Sequence, residues 1–513
     1  MKKKLKIIFI YIGVLLLSLL MTVVACAAFL FFYREGNIFG IQYIKRNEIL
    51  YADVSGIAGR SVSGITVIVD DFDVNIGVSP YGEEVRGALN NKVFGYTLKS
   101  KAQASITAKY DSVSGEVIFT IVEPQGWLSK KDCYVAIAIP ETLAQMNIDL
   151  TIKTDKGDIL IGRGDQISFG DVNIESSKGE VTLSNVAVEN VLNANIGSGW
   201  IYVDEKCVAD NVDVNVKLGS GKINFTRIDN FNIKTFKIES IKSGVVGVLR
   251  AYEVVTDGNI QGGGTVEIGS VTELEILSQD TNIKVGTVGQ LGSENLLMSR
   301  VDITGIGSVE LDKVYSKIHV TGHNGYVKIN NATGTVSVAT NQGDIQISNA
   351  YKDVSVDTQY GNALVQFSSD ESAPDYTQSG RAKALFATTK NGHIMAKGVQ
   401  NANVTIRDKG RVSLDYEFVR GENVITSLGI GNINIVVPYE NENDECIAFD
   451  LRTKSESKLD VEVGTVSSKQ AELIGNTYYL DVDNVYGTAS GNVLKIESVT
   501  GNIKLRSRNL IDF

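Results

Sequence analysis

The sequence predicts an all-β chain: a right-handed-type β-solenoid of short Gly-x-[Val/Ile]-x-[Val/Ile] strands, preceded by a single N-terminal transmembrane helix. Three observations predict it. A long charge-free apolar run opens the chain, a five-residue unit beginning with glycine recurs through most of the rest, and the steps between units are nearly regular.

The apolar run is Ile7 to Tyr33, IIFIYIGVLLLSLLMTVVACAAFLFFY. As a helix rising about 1.5 Å per residue it would exceed the ~30 Å hydrocarbon layer of a bilayer. Tyr11 and Tyr33 stand near its ends, where amphipathic rings suit the membrane interface. Lys2, Lys3, Lys4 and Lys6 precede it without any acidic residue, which favours a cytoplasmic N-terminus and an external body. Arg34, Lys45 and Arg46 on the far side weaken that bias without reversing it. Two alternatives stay open at this point. One is a cleaved signal peptide, whose apolar region is ordinarily shorter. The other is a lipoprotein signal, since Val23-Val24-Ala25-Cys26 resembles a lipobox with Cys26 as the acylated residue. Each of the three puts the body outside the cytoplasm.

The repeated unit reads GDILI at Gly157, GDVNI at Gly170, GEVTL at Gly179, GWIYV at Gly199 and GKINF at Gly221. Further copies start at Gly264, Gly307, Gly325, Gly334, Gly343, Gly361, Gly392, Gly410, Gly431 and Gly501. Aliphatic residues alternate inside each unit, the period of a strand with one buried face. Glycine before the strand marks a corner without room for a Cβ or one needing positive φ. Units of five residues bury nothing alone, so they must stack. The steps after Gly307 are 18, 9, 9 and 18 residues, and those from Gly157 to Gly179, Gly199 and Gly221 are 22, 20 and 22. That spacing predicts coils of roughly 18–22 residues with two or three short strands each. The domain reading follows: 1–6 a Lys-rich cytoplasmic tail, 7–33 the transmembrane helix, 34–49 a linker. Residues 50–150 are read as a β-rich N-terminal cap, 151–435 as solenoid repeats, and 436–513 as a C-terminal repeat and capping section. A cap is expected because an uncovered solenoid end would pair edge to edge with other molecules.

Composition narrows the function classes. The formal net charge is −11, and the chain after residue 33 carries 45 basic against 60 acidic residues. An acidic body argues against nucleic acid, which needs clustered Lys and Arg to neutralise phosphate. Cys26, Cys133, Cys207 and Cys446 are far apart in sequence, with no Cys-x-x-Cys spacing, so neither a zinc site nor a disulfide framework is predicted.

The stretch from Tyr134 to Gly162 resembles the opening of the glycine-rich β-solenoid domains called putative adhesin domains in bacteria. Ile139-Pro140, Leu150–Ile152 and Thr154–Ile161 occupy the places of that pattern: an aliphatic strand ending in proline, an apolar stretch, then a Thr-x-x-Gly-Asp-Ile unit. Ile433 to Ser455 resembles a second copy. The resemblance implies a bacterial envelope protein, often membrane-anchored, of unknown function and without agreed catalytic residues.

Candidate sites are few. Asp158 with Asp171 is an acidic pair of the kind a polysaccharide-cleaving solenoid would need. His319 and His323, in HVTGH, would converge on a helix, but the stretch reads as a strand and a glycine turn. Gly219–Lys222 lacks the surroundings of a phosphate loop. The run from Gly262 lacks the aspartate of calcium-binding β-rolls, which leaves calcium at Asp/Asn corners an open question. Trp127 and Trp200 read as packing residues. No catalytic, cofactor-binding or metal-binding residue is assigned, and no cofactor. The expectation is a non-enzymatic, single-pass membrane protein of the cell membrane with an extracytoplasmic body. It would act as a surface adhesin or scaffold contacting a cell-wall polymer or an envelope protein. The alternatives are an envelope sensor or regulatory partner and, further off, a carbohydrate-active enzyme.

Overall fold

The structure is a computed structural model that describes residues 11–26, 48–51, 61–71, 73–78, 95–99, 105–122, 134–139, 141–225, 230–290, 298–369, 383–441, 445–454, 457–485 and 488–508. Residues 11–26 are helical and every described side chain on them is exposed. The remainder of the expected 7–33 span lies outside the described residues, as does Trp127. Among the described residues no helix is long and apolar enough to cross a membrane.

Nearly everything else is β-strand, and the chain divides into two compact units, Met1–Asp210 and Asn211–Phe513. In both, strands pair in parallel with strands one coil away, as a solenoid requires. In the middle of the second unit each coil contributes two short strands, within the expected two or three, whereas elsewhere a coil such as Ile167–Leu183 or Asn401–Tyr416 runs round its corner as one long strand. The plainest case is Val309–Val314, Val327–Ala332, Ile345–Ala350 and Ala363–Phe367, which pair in succession at a shift of 18 residues on one side of the second unit. Lys317–Gly322, Val336–Thr340 and Val354–Thr358 do the same on the other side. Alternate residues point inward: Val327, Ile329, Val336, Val338, Ile345 and Ile347 are all at most 1% exposed. Full burial of such a side chain contributes about 1.5–3 kcal/mol, so stacking supplies what no single coil can.

The corner between the two strands explains the recurrent glycine. At Gly343 a Cβ would lie 1.7 Å from the carbonyl oxygen of Gly325 in the preceding coil. At Gly179, where φ is +147°, it would lie 2.0 Å from that of Gly157. The corner is closed from inside by a hydroxyl three residues earlier. Thr340 Oγ1 donates to Gly343 O at 2.8 Å, and Thr358 Oγ1 accepts the N–H of Gly361 at 3.0 Å.

The two ends depart from chain order. In the first unit Gly64–Asp71 lies between Glu116–Val122 and Ile148–Lys156, parallel to both. Asp73–Val78 lies likewise between Tyr134–Ile139 and Ile159–Gly164. The parallel stack therefore starts at Gly64, inside the segment read as a cap. The covering strands in that segment are Ser105–Tyr110 on Glu116–Val122 and Gly95–Lys99 on Tyr134–Ile139, both antiparallel. The second unit mirrors the device. Glu422–Val437 pairs with Thr488–Thr500 and Ile503–Ser507. Those two then pair with Glu445–Lys454 and Leu459–Val463, which come earlier in the chain. Thr477–Val485 covers Glu445–Lys454 antiparallel.

Candidate interaction surface

Because inward positions are aliphatic, all recognition chemistry must sit on outward positions and corners. At several corners the first outward residue after the glycine, an Asp or Asn, has a structural task. Asp158 Oδ1 accepts the N–H of Glu180 at 2.8 Å, and Asp344 Oδ1 accepts that of Asn362 at 2.8 Å. Asn362 Oδ1 takes the N–H of His393 at 3.0 Å, and Asn432 Oδ1 that of Asn502 at 3.0 Å. Each of these side chains thus supplies an acceptor for a backbone N–H where the ladder turns the corner. Part of a face that reads in sequence as merely solvated is a set of short acceptors, and an Asp or Asn directly after the glycine is its signal.

The remaining sequence candidates are not brought together. Asp158 neighbours Asp73 and Glu180 in a shallow recess of about 300 Å³, whereas Asp171 donates its N–H to Asp149 Oδ1 at 2.9 Å on a different strand. His319 Nδ1 meets Ser337 Oγ and its Nε2 meets Thr321 Oγ1, both at 3.2 Å. His323 Nε2 lies 3.4 Å from Asn341 Nδ2. Among the described residues no group of three or more His, Cys, Asp or Glu side chains is placed to hold a metal ion. Gly219–Lys222 forms a coil corner within the strand Val208–Phe225, with Gly219 O accepting the N–H of Ser243 at 2.9 Å. Cys207 is buried, and desolvation pushes its thiol up to about 11. Cys446 is buried too, and Cys26 is exposed on the helix. Trp200 stands 60% exposed beside its corner glycine rather than packed.

The second unit carries an open trough of about 420 Å³ on the outer face of the sheet that follows the glycine corners. Its walls carry Glu267, Lys284, Glu310 and Lys328, with Asp312 and Asn330 at the rim. Cross-coil register puts Lys284 beside Glu310 and Glu310 beside Lys328, so signs alternate along the row. The floor is low because Gly269 and Gly286 replace side chains there. A Cβ on Gly286 would lie 2.5 Å from Gly269 O, and one on Gly269 would lie 2.4 Å from Leu249 O. Tyr326 leans over the row and donates its hydroxyl hydrogen to Glu310 Oε1, which holds the phenol above its usual pKa. The trough offers carboxylates, ammonium groups, an amide and exposed backbone within one depression. Its sequence signal is a glycine at an outward strand position, in Ile268-Gly269 and Val285-Gly286, which the corner pattern hides.

The family model described as Toastrack DUF4097 matches residues 66–244. The match opens within Gly64–Asp71, the strand that begins the parallel stack. A solved structure of a "putative cell adhesion protein" from Clostridium sporogenes is 9% identical, with 90% of this chain and 99% of that one covered and a TM-score of 0.14. No curated protein matches the chain.

Proposed function

We propose that the chain is a non-enzymatic interaction module, tethered to the cell membrane by its N-terminal segment and displayed outside the cytoplasm. In this reading the alternating-charge trough of the second unit docks an extended cell-wall polymer. The observation that carries it is the trough itself, since a row of Glu267, Lys284, Glu310 and Lys328 over a glycine floor suits a linear ligand presenting hydroxyls and charges of both signs. The apolar helix at 11–26, with every described side chain exposed, supports an apolar surrounding for that segment. The acceptor tasks of Asp158 and Asp344 support a non-enzymatic reading, because those carboxylates hold the coils together. The repeat architecture fits extended binding surfaces of the kind stacked-repeat folds present.

Two measurements test the proposal. Protease added to intact cells should digest the body; full protection in cells whose wall has been removed would overturn external display. Sedimentation of the purified chain with isolated wall polymer should show binding that the double variant Lys284→Glu, Lys328→Glu weakens by about tenfold or more. Unchanged binding by a folded double variant would remove the trough from the argument.

A further inference from the structure

The outer edge of the second unit holds a buried amine beside an amide and a carboxylate. Lys383 precedes the strand Ala384–Val399, Gln400 follows it, and Glu417 follows the next strand, Asn401–Tyr416. The three therefore stand one coil apart at the same corner. The side chain of Lys383 is only 3% exposed, unusual for a lysine away from a ligand. Glu417 Oε2 accepts from Lys383 Nζ at 3.1 Å and from Gln400 Nε2 at 3.1 Å, so one oxygen joins both nitrogens. Two nitrogens bonded to the same oxygen lie at most about 6 Å apart. The backbone N–H of Lys383 points at Gln400 Oε1, 3.4 Å away, and Ser368 O accepts from Lys383 Nζ at 2.5 Å.

We infer that Lys383 and Gln400 form an intramolecular isopeptide bond, with Glu417 carrying the protons. The Lys383 ammonium gives a proton to Glu417, and the neutral amine attacks Cδ of Gln400. The tetrahedral oxygen is held by the Lys383 backbone N–H, the role of an oxyanion donor. Glu417 returns its proton to the departing Nε2, the Nζ–Cδ bond forms, and the Cδ–Nε2 bond breaks. Ammonia leaves and takes up the second amine proton as ammonium, so the reaction needs no oxidant or co-reactant. Burial fixes the reacting groups as neighbours, which replaces a bimolecular encounter with an intramolecular one, and a shared carboxylate is the general acid and base such a transfer needs. The product closes the coil from Lys383 to Gln400 into a covalent ring. That layer then cannot unwind when the chain is pulled along its length.

The test is a tryptic map of the purified full chain. The bond makes Lys383 resistant to trypsin, so the expected product is peptide 382–390 joined to peptide 398–407, lighter than the sum by one ammonia, about 17 Da. Lys383→Arg, which keeps the charge, and Glu417→Gln should each abolish the branched peptide. In the wild-type chain, cleavage after Lys383 together with an unmodified 398–407 peptide would overturn the proposal and leave an ion pair that merely closes the corner. A branched peptide joining Lys383 to Glu417 with loss of water would also overturn it, since the electrophile would then be the carboxyl. The wild-type map decides even if a variant fails to fold.

Discussion

Replacing Gly343 by alanine puts a methyl group 1.7 Å from Gly325 O, an atom of the neighbouring coil's backbone. Cβ atoms essentially never approach within 3.0 Å of such an atom, so the two coils must separate locally by more than an ångström. Strands in a sheet sit about 4.8 Å apart, and a displacement of that size breaks hydrogen bonds rather than lengthening them. The bonds at risk flank the corner: Val327 N–H to Asp344 O at 2.9 Å and Ile345 N–H to Asn362 O at 2.8 Å. Two lost bonds at about 1 kcal/mol each and overpacking strain of about 1–3 kcal/mol give a loss of roughly 3–5 kcal/mol. In urea, with a slope of about 2–3 kcal/mol/M, the unfolding midpoint should fall by more than about 1 M. Circular dichroism reads the midpoint, and hydrogen exchange at Val327 and Ile345 localises the damage, which matters because stacked repeats need not unfold as one. Gly491→Ala is the control: nothing lies within 4 Å of a Cβ there, so the shift should be negligible. Equal losses for Gly343→Ala and Gly491→Ala would refute the close-approach reasoning and make the corner glycines interchangeable with any small residue.

Other expectations follow from the same contacts. Asp344→Ala removes the acceptor of the Asn362 N–H and Nδ2, and should cost about 1–2 kcal/mol in denaturation, with Asp344→Asn recovering most of it. The Tyr416 hydroxyl is wholly buried without a hydrogen-bond partner among the described residues, and burial raises its pKa. Tyr416→Phe should therefore leave stability unchanged or raise it by up to about 1 kcal/mol. Burial raises the Cys207 thiol from 9.0 to about 11. The unfolded chain thus loses that proton first, and the thiol's contribution, complete below the unfolded value, disappears as pH rises from 9.0 to about 11. Denaturation midpoints across that window should fall in the wild type and fall less in Cys207→Ala, with iodoacetamide labelling of Cys207 at pH 8 appearing only on unfolding.

The middle of the second unit is legible in the sequence because each coil is local. Gly325, Gly343 and Gly361 recur at the period of one turn, and the inward valines and isoleucines alternate between them. The ends are not legible by the same means. Nothing in the pattern of Thr488–Ser507 says that it stacks on Glu422–Val437 in place of Glu445–Val463, because all three carry the same alternation. Partner choice among equivalent strands is set by connections, not by local period. The trough carries no mark in the repeat, since Gly269 and Gly286 stand at outward positions inside a strand and do not open a glycine unit. Lys383, Gln400 and Glu417 do carry a signal, two equal steps of 17 residues, but each lies outside the glycine unit on which a period search locks.

The exchanged order at the end of the second unit has a consequence for biogenesis. Residues 445–463 are synthesised before residues 488–507, yet the layer they form has only its antiparallel cover, Thr477–Val485, and no coil to rest on until the later segment slides in beneath it. A chain emerging from a ribosome or a membrane pore in sequence order can close its earlier coils one at a time. At this end it must wait, holding two strands with open edges, until roughly forty more residues have come through. Any chain stopped inside that interval is left with exposed edges for a protease or chaperone to recognise. The last layers thereby distinguish finished molecules from unfinished ones.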